Sequence, residues 1–274
     1  MDSKAYFERL NEIPDQEINL AEAALYIAAD EYPNIDIPSY LEQLKMWSSM
    51  LRRESARKRA ESRFDLLNRM LFEKMHFTGN LDNYYDPRNS FLNDVIDSRK
   101  GIPISLCVLY LDLAWSLGLR ATGIGFPGRF LVRVEEQDKI LYVDCFYQGR
   151  ILSVEDCVEF WNDLSDGEME FQHSFLSSLG KRQILVRMLH NLKGIYLEKK
   201  SFKKLIHVMD KLVILAPDLY EEIRDRGIIH YQMQAFRPAL QDFETYLSTN
   251  SEGEDADMIR QYVEVLREYS SHLN

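Results

Sequence analysis

Two side chains in this sequence stand where a nucleophile could be useful. Ser105 lies two residues after Gly101-Ile102-Pro103, a helix-opening sequence, and Cys145 directly follows Asp144. A hydroxyl needs an adjacent base to attack at neutral pH, and a thiol needs its pKa lowered by a helix N-terminus or a cation. No histidine lies between His76 and His173, so neither group has a local base. The carboxylate of Asp144 would raise the pKa of a neighbouring thiol, which argues against Cys145 as a nucleophile. Cys107 falls on the apolar face of a helix and reads as a small core residue. Together with Cys157 the cysteines form no CxxC pair. That speaks against a disulfide framework or a zinc site and fits a reducing compartment. No metal or cofactor is expected.

The other available chemistry is recognition by charge. The chain carries 33 Lys and Arg against 44 Asp and Glu, a net −11. Such a chain is a poor generic binder of phosphate backbones, which are held by cations. Two stretches depart from this background. Residues 51–63 hold Arg52, Arg53, Arg57, Lys58, Arg59 and Arg63 against Glu54 and Glu61. Residues 181–204 hold Lys181, Arg182, Arg187, Lys193, Lys199, Lys200, Lys203 and Lys204 against Glu198. The second stretch reads either as solvated helix face or as cations offered to an acidic peptide or protein partner. In the latter case Lys193, Lys200 and Lys203 bind, Tyr196, His230 and Tyr231 add contact area, and the lysines must be unpaired. Tyr196 and His230 have inter-helix packing as their other reading. RNA or ribosome contact, a weaker option, requires both basic stretches to share one face.

These residues need a scaffold, and the chain is long enough for one: 274 residues, 46% hydrophobic and 12% aromatic. Apolar spacing predicts a helix from Leu20 to Ala28, ended by Tyr32-Pro33-Asn34. A longer one opens at Pro38 and runs through Leu44, Trp47, Met50 and Leu51 to a break near Ser55. A third spans about Ser62 to Met75, with His76 to Asn80 as its C-cap and loop, where Gly79 and Asn80 tolerate left-handed backbone. The apolar run from Ile102 to Leu117, followed by Gly118, predicts a buried helix. Arg120–Phe126, Phe130–Val134 and Ile140–Phe146 then read as antiparallel strands, the last two joined by the charged loop Glu135 to Lys139. Ser153 caps a helix to Leu164. No stretch reaches the length of a membrane helix, and Met1 to Glu17 has no apolar signal core, so a soluble, cytoplasmic protein is expected.

The C-terminal third carries an internal repeat. Leu192-Lys193, Tyr196, Leu205, Met209 and Leu212 recur 34 residues later as Arg226-Gly227, His230, Ala239, Phe243 and Tyr246. That is the period of tetratricopeptide repeats, with Gly227, Ala239 and Phe243 as the small, small and aromatic residues that let two helices cross closely. A final helix, about Asp255 to Ser270, would cap the stack.

More particular runs carry a resemblance. They are Asn80, Tyr84-Tyr85-Asp86-Pro87, Asn89-Ser90, Leu92-Asn93-Asp94-Val95, Arg99, Gly101 to Leu106, Leu117-Gly118-Leu119, Phe126-Pro127-Gly128 and Phe130 to Arg133. With Ala24 to Ala28 and Glu31-Tyr32-Pro33, they resemble the bacterial SirB-type family, which joins a transglutaminase-like domain to tetratricopeptide repeats. The resemblance implies an α+β fold: a helical N-terminal region and a transglutaminase-like (papain-like) core with a small antiparallel sheet, then α-helical repeats. The expected domains are 1–175 and 180–274. It also implies a Cys, His and Asp triad, of which only Asp144 matches. Pro103 stands near the expected cysteine and Arg129 at the usual histidine, and an arginine cannot act as a general base. Arg129 is expected to pair with Asp144, and Asn89 and Ser90 to satisfy turn or helix-end backbone. The function implied is a non-catalytic interaction or regulatory protein with a degenerate core. The alternative is a residual hydrolase or acyltransferase working through Ser105 or Cys145 with Asp144.

Overall fold

A helix that is apolar on every side has to be surrounded. In the computed structural model, which describes residues 2–57, 62–136, 139–253 and 255–271, that helix is Pro103–Ser116, with ten of its fourteen residues buried. Four helices pack on it: Leu20–Ala28, Ile37–Arg57, Arg63–Asn68 and Leu92–Ser98. In chain order, with Ser3–Asn11 as α1, these are α2 to α5 and the central helix is α6. Its buried Tyr110 hydroxyl donates to Asn68 Oδ1 at 2.9 Å, so a polar atom deep in the core is satisfied. Two of these helices, α2 and α4, start on side-chain caps: Asn19 Oδ1 accepts from Glu22 N and Ser62 Oγ from Asp65 N, each at 3.1 Å.

Strands Arg120–Ile124 (β3), Leu131–Glu136 (β4) and Lys139–Asp144 (β5) form the expected antiparallel sheet, and β3 and β4 contact α6. Two shorter strands complete it, Arg150–Leu152 (β6) and Ser178–Leu179 (β7), in the order β6-β5-β4-β3-β7. In register, Val132 faces Val143 on one side and Gly123 on the other. Helix α7 (Val154–Leu164) opens on a capping box, Ser153 Oγ accepting from Asp156 N and Asp156 Oδ2 from Ser153 N. Lys58, Arg59 and Glu61 of the first basic stretch, and Gln137 and Asp138 of the hairpin loop, lie outside the described residues.

Three local expectations are corrected. Helix α3 does not break near Ser55 but runs on to Arg57, with Ile37, Leu44, Trp47, Ser48 and Leu51 as its buried face and Met50 exposed. The left-handed residue after α4 is His76, at φ 58°, and neither Gly79 nor Asn80. Thr78–Gly79 (β1) instead pairs in parallel with Lys100–Gly101 (β2). Gly79 is required there by space, since a Cβ would lie 2.5 Å from the Phe146 ring.

The chain forms two compact units, residues 13–188 and residues 1–12 with 189–274. Compactness is a different measure from the motif-based division at 175–180: in the second unit α1 packs on α9 (Phe202–Leu215), with the Lys211 ammonium 5.8 Å from the Phe7 ring centre. Helix α8 (Lys181–Glu198) is followed by α9, α10 (Tyr220–Gln232), α11 (Phe236–Thr249) and α12 (Ala256–Ser271). The repeat residues pack as their types predict. Leu192, Leu205, Met209 and Leu212 are buried, and a Cβ on Gly227 would meet the Phe243 ring at 2.7 Å. Ile259, Val263 and Leu266 of α12 close this core.

Two outcomes follow from the 13–188 unit. Gly79→Ala should lose about 1–3 kcal/mol in urea denaturation, because the Phe146 ring must move. Asp112 of α6 has its carboxyl pushed up to about 6 by burial, with Lys181 opposing. A carboxyl held above its unfolded value of 3.8 supports folding below that value and loses the support as pH rises toward 6. Asp112→Asn should therefore leave stability nearly unchanged near pH 4 and raise it by about 3 kcal/mol at pH 7.5, read from denaturation midpoints at the two pH values.

Candidate functional site

The first turn of α6 holds Pro103 and Ser105. Pro103 occupies its first turn, where a missing N–H loses nothing. Ser105 is completely buried: its hydroxyl donates to Asn89 O at 2.6 Å and accepts from Ile102 N at 3.2 Å. Both bonds fix the helix start, and no base touches the hydroxyl. Asn89 holds the preceding loop from the other side, its Nδ2 donating to Asn83 O at 2.6 Å and Tyr84 O at 3.1 Å, its Oδ1 accepting from Asn80. Asn89 thus satisfies backbone as expected. Ser90 does not, for its buried Oγ has no hydrogen-bond partner among the described residues.

On the sheet side the expected pair is present. Arg129 Nη1 donates to Asp144 Oδ2 at 2.6 Å, and Asp144 Oδ1 accepts from Phe146 N and Tyr147 N at 3.0 and 3.3 Å. The guanidinium lies 3.9 Å from the Phe160 ring centre and 5.3 Å from that of Tyr147. A turn at Phe126-Pro127-Gly128, closed by Arg129 N to Phe126 O, presents the arginine. Arg187 clamps this turn by donating to Gly125 O, Phe126 O and Arg129 O. Sequence reasoning counted Arg187 as part of a surface cluster; nothing local in sequence ties it to residues some 60 positions earlier.

All three cysteines are free and buried. Burial, then Cys107 and Asp144, push the Cys145 thiol well above its ordinary value, and burial lifts that of Cys157 to about 11. Cys107 Sγ contacts Phe130 O at 3.5 Å. Among the described residues, no group of three or more His, Cys, Asp or Glu side chains is placed to hold a metal ion.

The repeat residues proposed to bind a partner do not form one open groove. Lys193 is ion-paired at 2.8 Å with both Glu222 and Asp225, which overturns the expectation of unpaired lysines at this position. Tyr196 is buried, and Tyr231 packs on Tyr262 and Phe236. Burial lowers the pKa of His230, which stands 4.0 Å from Asp242 beside the fork that Arg226 makes with Asp242 and Asp210. Lys200 and Lys203 are exposed near the turn between α8 and α9. In the first basic stretch, Arg63 Nη1 donates to Leu117 O and Arg52 Nη2 to Ser49 Oγ.

Comparison with known proteins places this geometry. The profile of the transglutaminase-like superfamily matches residues 38–190, and a tetratricopeptide repeat profile matches residues 192–264. A UPF0162 protein of Xylella fastidiosa is 35% identical over 93% of this chain and 92% of its own length. One from Vibrio cholerae is 28% identical over 86% of this chain and 85% of its own. F-box only protein 21 of Homo sapiens is 34% identical over 34% of this chain, a stretch that makes up 16% of that protein. No solved structure matches.

The Arg129–Asp144 pair should behave as a buried ion pair. Arg129→Ala leaves the Asp144 carboxylate without its cation and should destabilise the protein by about 3 kcal/mol. Adding Asp144→Asn to that variant should recover part of the loss, which a double-mutant cycle in urea measures.

Proposed function

This chain belongs to the transglutaminase-like superfamily, and we propose that it is a non-catalytic interaction protein in which the core and the tetratricopeptide helices serve as binding surfaces. The observation that carries the reading is the salt bridge of Asp144 with Arg129 in place of a histidine. An arginine keeps its proton at any physiological pH, so it holds the carboxylate but cannot shuttle a proton. Pro103 brings no nucleophile to the helix start, and Ser105 spends its hydroxyl on backbone atoms. The rival hydrolase or acyltransferase reading would need a thiolate, and burial works against one at Cys145 and Cys157.

Helical repeats present surfaces to protein partners, which supports the interaction role for the C-terminal region. With Lys193 engaged, Lys200 and Lys203 are the cations of the proposed set still available to an acidic partner. Free buried cysteines fit the reducing cytoplasm, and no described helix is long and apolar enough to cross a membrane. The resemblance to the SirB-type group agrees with a regulatory or scaffolding role.

The test is the reactivity of the native thiols toward iodoacetamide from pH 5 to 9, resolved by cysteine with peptide mass spectrometry. All three should label no faster than the protein unfolds. Rapid labelling of Cys145 with a midpoint below about 7 would mean a working site around Asp144, and the non-catalytic reading would be wrong.

A further inference from the structure

Exposed aromatic rings are uncommon enough on a protein surface to need an explanation when they touch one another. Tyr85 is 66% exposed, Tyr147 48% and Tyr84 40%. They form one series through Phe146: ring centres are 5.2 Å apart from Tyr85 to Tyr84, 5.7 Å to Phe146 and 5.2 Å on to Tyr147. The last ring lies against the Arg129 guanidinium. The series therefore ends beside the arginine that pairs with Asp144.

These rings sit on fixed backbone. Asn89 Nδ2 holds Tyr84 O, and the Asp144 carboxylate holds Tyr147 N. Tyrosines on anchored backbone present contact area while losing little further freedom when a partner binds. Tyr and Arg are also the residue types that carry much of the binding energy in protein interfaces.

The charge at this face is unbalanced. Arg187 is half-buried, and its guanidinium meets three carbonyl oxygens and, among the described residues, no carboxylate. A partly desolvated cation without an anion favours a ligand that supplies one. Of the acids on the segments that carry these rings, Asp144 pairs with Arg129, Asp86 with Arg88 at 2.6 Å, and the exposed Asp82 with Lys100 at 3.5 Å. Arg187 and Tyr84 feel each other's field, since the cation acts to lower the tyrosine pKa, although burial raises it overall.

We infer that this tyrosine and arginine face of the core docks an extended acidic segment of a partner protein, with a carboxylate toward Arg187 and apolar side chains on Tyr84, Tyr85 and Tyr147. It rests on the reading that the core is not catalytic and assigns that surface its ligand class. A single-stranded nucleic acid would also stack on tyrosines. It would need a track of cations along its phosphates, however, and this face offers one uncompensated arginine on a chain of net charge −11.

The experiment is fluorescence anisotropy on the full chain with a labelled dodecapeptide, Glu-Phe-Gly-Glu repeated three times. The same peptide with Lys for Glu and a ten-nucleotide uridine RNA serve as comparison probes. The acidic peptide should bind at least tenfold more tightly than either. Tyr85→Ala with Tyr147→Ala should weaken it at least tenfold, and Lys4→Ala with Lys45→Ala, at exposed lysines of α1 and α3, should leave it unchanged. Tyr85→Glu, a single change at an exposed position, should weaken it as well, with thermal melts checking that each variant is folded. Absent binding, a preference for the lysine peptide or the RNA, or loss only in the lysine variant would each overturn the proposal. None of these results would alter the thiol labelling, so the non-catalytic reading stands or falls separately.

Discussion

The layout of the 13–188 unit depends on hiding α6. Its apolar residues face every direction, so helices and strands must contact it from several directions at once. Burying one Leu-sized side chain contributes about 2 kcal/mol, and α6 buries several together with Tyr110. The polar atoms at its start cannot be left open to this core. Ser105 and Asn89 satisfy them, and in doing so tie the segment from Asn80 to Ser90 to the helix. The loop that displays Tyr84 and Tyr85 is thus ordered by the same bonds that begin the helix.

Elements with a sequence period were legible. The all-apolar run of α6, the hairpin β4–β5 around a charged loop, the Ser153 cap and the 34-residue repeat each announce themselves within a short window, and each is present. What depends on distant contact was not. Gly79 looks like a loop residue until Phe146 is seen against it, and the β1–β2 pair has too few residues for any pattern. Nothing in the helical pattern of residues 37–57 says which of Met50 and Leu51 meets the core.

The site divided in the same way. Asp144 and Arg129 were found through resemblance, and Ser105 through its position at a helix start. Lysine and arginine in the second basic stretch were read as a surface, because in sequence a cation shows its charge and not its partner. In the structure Arg187 serves a turn of the core, and Lys193 and Arg226 join helices of the repeat unit through Glu222, Asp225, Asp210 and Asp242. Half-buried pairs of this kind position helices more than they add stability, since desolvation offsets much of the attraction. Acids that bring the chain to −11 are therefore partly internal, and the net charge overstates what a partner meets at the repeats.

The Arg129–Asp144 pair also bears on how such a domain changes over generations. A buried carboxylate demands a hydrogen-bonding cation or donor beside it, and an arginine meets that demand as well as a histidine would. The folding requirement of the carboxylate is therefore met by a side chain that moves no proton, and a stable fold places no demand of its own on the chemistry.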